Sequence, residues 1–189
     1  MPIDHFNLIA GFYDRAGPFQ VTQPLLGLLS PSPGSLLLDV GGGTGRVATA
    51  LRGMVKNVYV VDVSDGMLRR AQGKGLSTVC ALAESLPIPS GSIDRIIMVD
   101  ALHHVVDQRQ TVSELWRVLA PGGRILIVEP DIRKAFVKLI AIGEKLLLMR
   151  SHILTGEDIA SLFRDPIVDI RVVDDEFNIF IVAEKVRRL

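Results

Sequence analysis

Leu36-Leu37-Leu38-Asp39-Val40-Gly41-Gly42-Gly43-Thr44-Gly45-Arg46 is the stretch whose reading decides the fold of this chain. A short apolar run without alternation reads as a strand buried on both faces. The glycines that follow let the backbone turn sharply and approach a ligand closely, because no Cβ intervenes. From Arg46 the pattern becomes helical, and the first turn of a helix presents unpaired amides and a positive dipole end to an anion. Strand, glycine turn and helix in that order form the opening unit of a parallel α/β sheet.

The rest of the chain repeats the alternation. Strands are predicted at Ser35–Val40, Val58–Asp62, Ser77–Ala81, Arg95–Val99, Arg124–Glu129, Ile167–Val173 and Asn178–Glu184. Helices are predicted near Arg46–Met54, Gly66–Gln72, Arg109–Leu119, Lys134–Arg150 and Glu157–Phe163. Asp107 and Gln110 are spaced for a capping box at the third of these, and Pro121-Gly122-Gly123 is expected to stop it and turn the chain into the fifth strand. The polar Asp174-Asp175-Glu176 makes the last two strands an antiparallel hairpin. Pro31-Ser32-Pro33-Gly34 is a breaker, and His5–Leu29 ahead of it is expected to form one or two helices, a cap over residues 1–30. The expectation is an α/β fold in one domain over 1–189, a doubly wound, mostly parallel seven-stranded sheet with helices on both faces.

The 189 residues suffice for a hydrophobic core without staples. Acidic and basic residues balance at 21 each, which argues against a nucleic-acid partner, since phosphate binding needs a clustered positive field. One cysteine, Cys80, and four scattered histidines predict neither an intrachain disulfide nor a metal site. The start, Met1-Pro2-Ile3-Asp4-His5, lacks the features of a signal peptide, and no apolar stretch reaches the ~20 residues of a membrane span, so the cytoplasm is the expected location.

A dinucleotide fingerprint requires G-x-G-x-x-G, and its third glycine would fall on Arg46. The spacing present, Gly41, Gly43, Gly45, favours a smaller ligand than a pyrophosphate. Asp39 can meet a cationic group there, and loop amides a carboxylate. Asp62 ends the second strand seventeen positions after Gly45, where a carboxylate can accept both hydroxyls of a ribose.

These motifs resemble those of class I S-adenosylmethionine-dependent methyltransferases, in particular the type 11 branch that includes the ubiquinone/menaquinone biosynthesis C-methyltransferases. Leu38–Gly45 resembles the first family motif, with Gly42 where cysteine is common. Val61-Asp62-Val63-Ser64-Asp65-Gly66-Met67-Leu68 resembles the second-strand motif, and the resemblance implies that Asp62 holds the ribose while Met67 packs on the adenine. Ala83-Glu84 through Asp94 is similar to the loop covering the adenine edge, with Leu82 where an acid usually stands. Ala101–Asp107, Glu114–Gly123 and Phe6–Asp14 are similar to three further segments. The implied fold is the Rossmann-like methyltransferase fold. The implied cofactor is S-adenosylmethionine, with S-adenosylhomocysteine as product, bound by Asp39, Gly41, Gly42, Gly43, Gly45, Asp62, Val63, Met67, Ala83, Glu84 and Asp100.

The methyl donor is already activated, so a base is needed only where the acceptor must lose a proton. The candidates are His103 and His104, which follow the fourth strand, and Tyr13, similar to a family tyrosine that closes over the site. Glu129 and Asp131 end the fifth strand at the edge where such sheets place ligands. The absence of an (Asp/Asn)-Pro-Pro-(Tyr/Phe) turn after the fourth strand argues against methylation of DNA or glutamine amino groups and leaves a small organic acceptor, which the high hydropathy of the chain suggests is apolar. A non-catalytic S-adenosylmethionine- or S-adenosylhomocysteine-binding protein, or a partner subunit, stays open as the alternative. Residues 131–156 form a lid segment that is short for the quinone branch. Within it, 134–150 reads either as a core-packing helix or as an interfacial one in peripheral membrane contact. Oligomeric state is not legible.

Overall fold

The computed structural model describes residues 19–133, 152–164, 168–175 and 178–186. Seven strands form one sheet: β1 (Leu36–Val40), β2 (Asn57–Asp62), β3 (Ser77–Cys80), β4 (Ile93–Val99), β5 (Leu119–Pro130), β6 (Val168–Asp174) and β7 (Asn178–Lys185). Their spatial order is β3-β2-β1-β4-β5-β7-β6. The first five are mutually parallel, whereas β7 runs antiparallel to both β5 and β6. The doubly wound fold expected from the sequence is the fold present.

Side chains alternate across β1, and each face has its own core. Leu38 and Val40 join Ile96, Met98, Ile125 and Ile127 on one side. That side is covered by α4 (Gln108–Val118) through Val112, Leu115 and Val118, and by α5 (Gly156–Ser161) through Ile159. Leu37 joins Val60, Ile97 and Leu126 on the other side. There α1 (Gln23–Leu29), α2 (Arg46–Leu51) and α3 (Asp65–Gly73) supply Leu25, Leu29, Ala48, Leu51, Leu68 and Ala71. The solid Val/Ile/Leu runs thus reflect burial on both faces.

Helix ends follow local chemistry. Thr22 caps α1 by accepting from Leu25 N, and the helix stops at Ser30 in the left-handed region, φ 50°. Ser64 caps α3 by accepting from Met67 N. Thr155 and Asp158 form a full capping box at α5.

Three local expectations change. Asp107 caps α4 through Gln110 N at 2.9 Å, but the reciprocal half of the box is absent. The Asp107 amide donates to Glu84 Oε1 instead, and Gln110 Nε2 donates to Glu84 O. Pro121-Gly122-Gly123 does not end α4, which stops at Val118. Leu119 already pairs with Ile93, and the turn is an irregularity inside β5, with a register shift between Ile93 and Arg95 and Gly122 at φ 78°. The helix expected over Arg46–Met54 is α at Arg46–Leu51 and tightens to 3-10 at Arg52–Met54. The cap residues before 19, the helix at Lys134–Arg150 and Tyr13 lie outside the described residues.

Candidate cofactor site

Strand order reverses between β1 and β4, because β2 and β3 lie on one side of β1 while β4 and β5 lie on the other. The strand-end loops diverge there and leave a crevice, the place where open α/β sheets bind ligands. A cleft of about 220 Å³ opens at this point, between the glycine loop, the ends of β2 and β4 and the loop after β3.

Asp39 forms its floor. The side chain is 1 % exposed, and Oδ2 accepts from Ala48 N in the first turn of α2 at 3.1 Å. Burial pushes its carboxyl up to about 7, against the pull of the Ala48 amide, with the nearby Asp62 adding to the rise. Gly42 lies directly over it: a Cβ there would stand 2.6 Å from Asp39 Cγ. At Gly41, with φ 68°, a Cβ would stand 2.5 Å from Ala101 Cβ, so the glycine loop is packed against the turn after β4. At Gly43, with φ 54°, the nearest atom to a Cβ would be Met67 Sδ at 3.8 Å. The loop is therefore tight at its base and open toward the cleft.

Asp62 organises the side of the cleft. Oδ2 accepts from Gly43 N at 2.9 Å, and Oδ1 accepts from Ser64 N at 2.8 Å. One carboxylate thus fixes both the glycine loop and the entry to α3. Met67 is buried beneath this corner. Leu82 and Val63 are 55 % and 54 % exposed at the rim, and Val106 is 76 % exposed. Glu84 ties the rim together, since Oε1 accepts from Val106 N and Asp107 N. Arg117 anchors the next part of that loop, donating to Leu86 O and Ile88 O at 2.9 Å each. Its hydrogen bond to Glu114 holds the Glu114 carboxyl below the usual range.

The turn after β4 forms the opposite wall. Asp100 is left-handed, φ 50°, which costs ~1 kcal/mol for a residue other than glycine. Its amide continues the ladder to Val128 O at 2.9 Å. Glu129, 1 % exposed, lies behind the turn. Its Oε1 accepts from Ala101 N and Leu102 N at 3.1 and 2.8 Å, and His103 Nδ1 donates to Oε2 at 2.5 Å.

The cleft lining includes every expected cofactor contact except Gly45: Asp39, Gly41, Gly42, Gly43, Asp62, Val63, Met67, Ala83, Glu84 and Asp100. Gly45 caps α2 at φ 75° and faces the protein, where a Cβ would meet Leu76 Cδ1 at 2.3 Å. Both the left-handed backbone and the packing demand glycine here. His104 lines the cleft and His103 does not; the His103 side chain is 4 % exposed and turned onto Glu129. Val105 and Val106 also line it, and their place directly after His104 was the available signal. Nothing in the local pattern marked Glu129 as the support of the turn. Among the described residues no cluster of His, Cys, Asp and Glu could hold a metal ion, and no helix is long and apolar enough to cross a membrane.

The residues fit a cationic nucleoside ligand. Asp39, Asp62 and Asp100 supply carboxylates for an ammonium and for ribose hydroxyls, the open Gly43 turn leaves room, and the valine and leucine rim suits a flat apolar ring. Residues 38–127 match the family described as a methyltransferase domain, and the sheet order fits that match. The chain is similar to UbiE-like proteins of the type 11 branch.

It is 33 % identical over 140 residues to the ubiquinone/menaquinone biosynthesis C-methyltransferase UbiE of Bordetella parapertussis, an alignment covering 66 % of this chain and 54 % of that protein. The chain thus spans about half the length of the curated relatives it matches. Among solved structures, the protein complexed with the Haloferax volcanii Trm112 methyltransferase activator superposes with a TM-score of 0.82 at 17 % identity, covering 99 % of this chain and 100 % of that one. The [4+2]-cyclase SpnF superposes with a TM-score of 0.77 at 16 % identity, covering 97 % and 94 %. The two structures share the fold.

Proposed function

We propose that this chain transfers the methyl group of S-adenosylmethionine to a small, apolar organic acceptor with an acidic proton, of the phenol or quinol class. The observation that carries the reading is the Asp62 carboxylate on the Gly43 amide, which joins the ribose acid and the glycine loop into one surface at the switch point of the sheet. Bound there, the cofactor supplies an electrophilic methyl group on a sulfonium. Asp62 would accept from the ribose hydroxyls, Asp39 would face the ammonium, and Val63, Leu82, Ala83 and Val106 would enclose the adenine. His104, at the wall nearest the β4 end, is the group in reach to take a proton from the acceptor.

The acceptor class rests on the apolar rim and on the kinship with UbiE of Bordetella parapertussis. The balance of 21 acidic and 21 basic residues speaks against a nucleic-acid acceptor, and we place the activity in the cytoplasm.

The test is transfer of label from methyl-labelled S-adenosylmethionine to a panel of demethylated quinols, phenols and fatty acids. Methylation of a quinol or phenol is expected. Tight binding of S-adenosylhomocysteine with no transfer to any acceptor would favour the non-catalytic binding protein instead. SpnF, named a cyclase, shows that the fold is not confined to proteins named for methyl transfer.

A further inference from the structure

The adjacent histidines after β4 differ in surroundings. His104 is half-buried and lines the cleft, while His103 is enclosed, with its ring centroid 4.0 Å from that of His104. His103 is tied through both side chain and backbone, and the turn around it is closed by its neighbour. Its Nδ1 donates to Glu129, its carbonyl accepts from His152 N at 2.9 Å, and His104 N donates to Ala101 O at 3.1 Å to close the turn. Gln108 binds the same turn to the chain at His152, donating to Leu102 O and His152 O at 3.1 and 2.6 Å.

We propose that His103 is a positioning residue: through Glu129 its imidazole holds the turn Asp100–His104 against the glycine loop, and His104 alone of the two meets the ligand. The physical case rests on Glu129. A buried carboxylate requires donors on both oxygens, and Glu129 obtains them from two successive amides and one ring nitrogen. Removing the ring donor leaves Oε2 to find another partner, and the nearest means is movement of the turn. That turn includes the left-handed Asp100 and the Ala101 methyl that fills the space beside Gly41, so its movement alters the cleft. Donation from Nδ1 to a carboxylate also fixes the tautomer of His103.

The inference uses the cofactor reading only to name its probe, S-adenosylhomocysteine. The experiment compares His103→Leu, which removes the donor, with His103→Asn, whose side-chain amide can donate from near the Nδ1 position. Calorimetry should show S-adenosylhomocysteine bound about tenfold or more weakly by the leucine variant and within about threefold of wild type by the asparagine variant. In the acceptor assay the asparagine variant should keep its turnover. Wild-type affinity in a folded leucine variant, equal losses in both variants, or turnover abolished by asparagine at intact cofactor affinity would each overturn the proposal.

Nitrogen-15 NMR of the imidazoles supplies an independent arm, useful where leucine prevents folding. Wild-type His103 should carry its proton on Nδ1, and Glu129→Gln, which can turn an amide donor toward the ring, should move it to Nε2. An unchanged His103 signal in that variant overturns the proposal even if the wild type binds no S-adenosylhomocysteine, an outcome that would instead defeat the cofactor reading.

Discussion

Replacing Asp39 by asparagine should stabilise the ligand-free protein, by an amount that depends on pH. The carboxyl titrates at about 7 in the folded chain against 3.8 as its ordinary value, because it is enclosed beneath the glycine loop. A folded-state value raised above the unfolded one means that the folded chain holds the proton longer. The stability contributed by the protonated form is complete below about pH 4 and is lost as pH rises toward 7. A gap of about three units corresponds to roughly 4 kcal/mol. Asparagine cannot ionise, and its side-chain oxygen can still accept from Ala48 N, so Asp39→Asn should escape this loss. For a domain of this size roughly 4 kcal/mol corresponds to a rise in Tm of about 8–16 °C. The gain should be near full at pH 8.5 and reduced to about 1 kcal/mol at pH 4.5. Thermal or urea unfolding of both proteins at the two pH values is the assay. A Tm difference that stays constant with pH would refute the reasoning, because Asp39 would then not titrate between the two. With ligand present the gain should shrink, since an ammonium beside Asp39 favours its ionised form, and Asp39→Asn should bind S-adenosylhomocysteine more weakly.

Asp62→Ala should weaken S-adenosylhomocysteine binding by about 1.5–3 kcal/mol, the usual loss for hydrogen bonds to a charged group, and calorimetry on the folded variant decides it. Gly42→Ala should cost about 1–3 kcal/mol of stability, because its Cβ would stand 2.6–2.9 Å from the Asp39 carboxyl and displace it from Ala48 N. The cost should shrink when Asp39 is already alanine, and a double-mutant cycle in urea measures that coupling. Leu82 presents no side-chain acceptor at the rim, so a cofactor analogue with purine in place of adenine should bind within about tenfold of the natural one, a penalty near 1.4 kcal/mol. Leu82→Asp should widen that ratio, and a strong wild-type preference left unaltered by the substitution would show that another group reads the exocyclic amine.

The sequence by itself determined the α/β layering, because strand and helix periods are local and the runs at Ser35–Val40, Val58–Asp62 and Arg95–Val99 are short enough to be read without knowing their neighbours. It also determined the glycine loop and Asp62, since a turn that lacks Cβ atoms and an acid at a strand end are properties of adjacent residues. Only the tertiary structure decided which of two adjacent histidines lines the cleft. His103 and His104 have the same chemistry, and their difference comes from a carboxylate 26 residues further along the chain. Only it showed that a side chain at Gly45 would collide with Leu76, and that Gln110 bonds to Glu84 rather than completing its helix cap. Periodicity gives the face on which a side chain lies, whereas the partner it finds depends on which distant strand or loop packs against that face, and the short-range pattern holds no record of that.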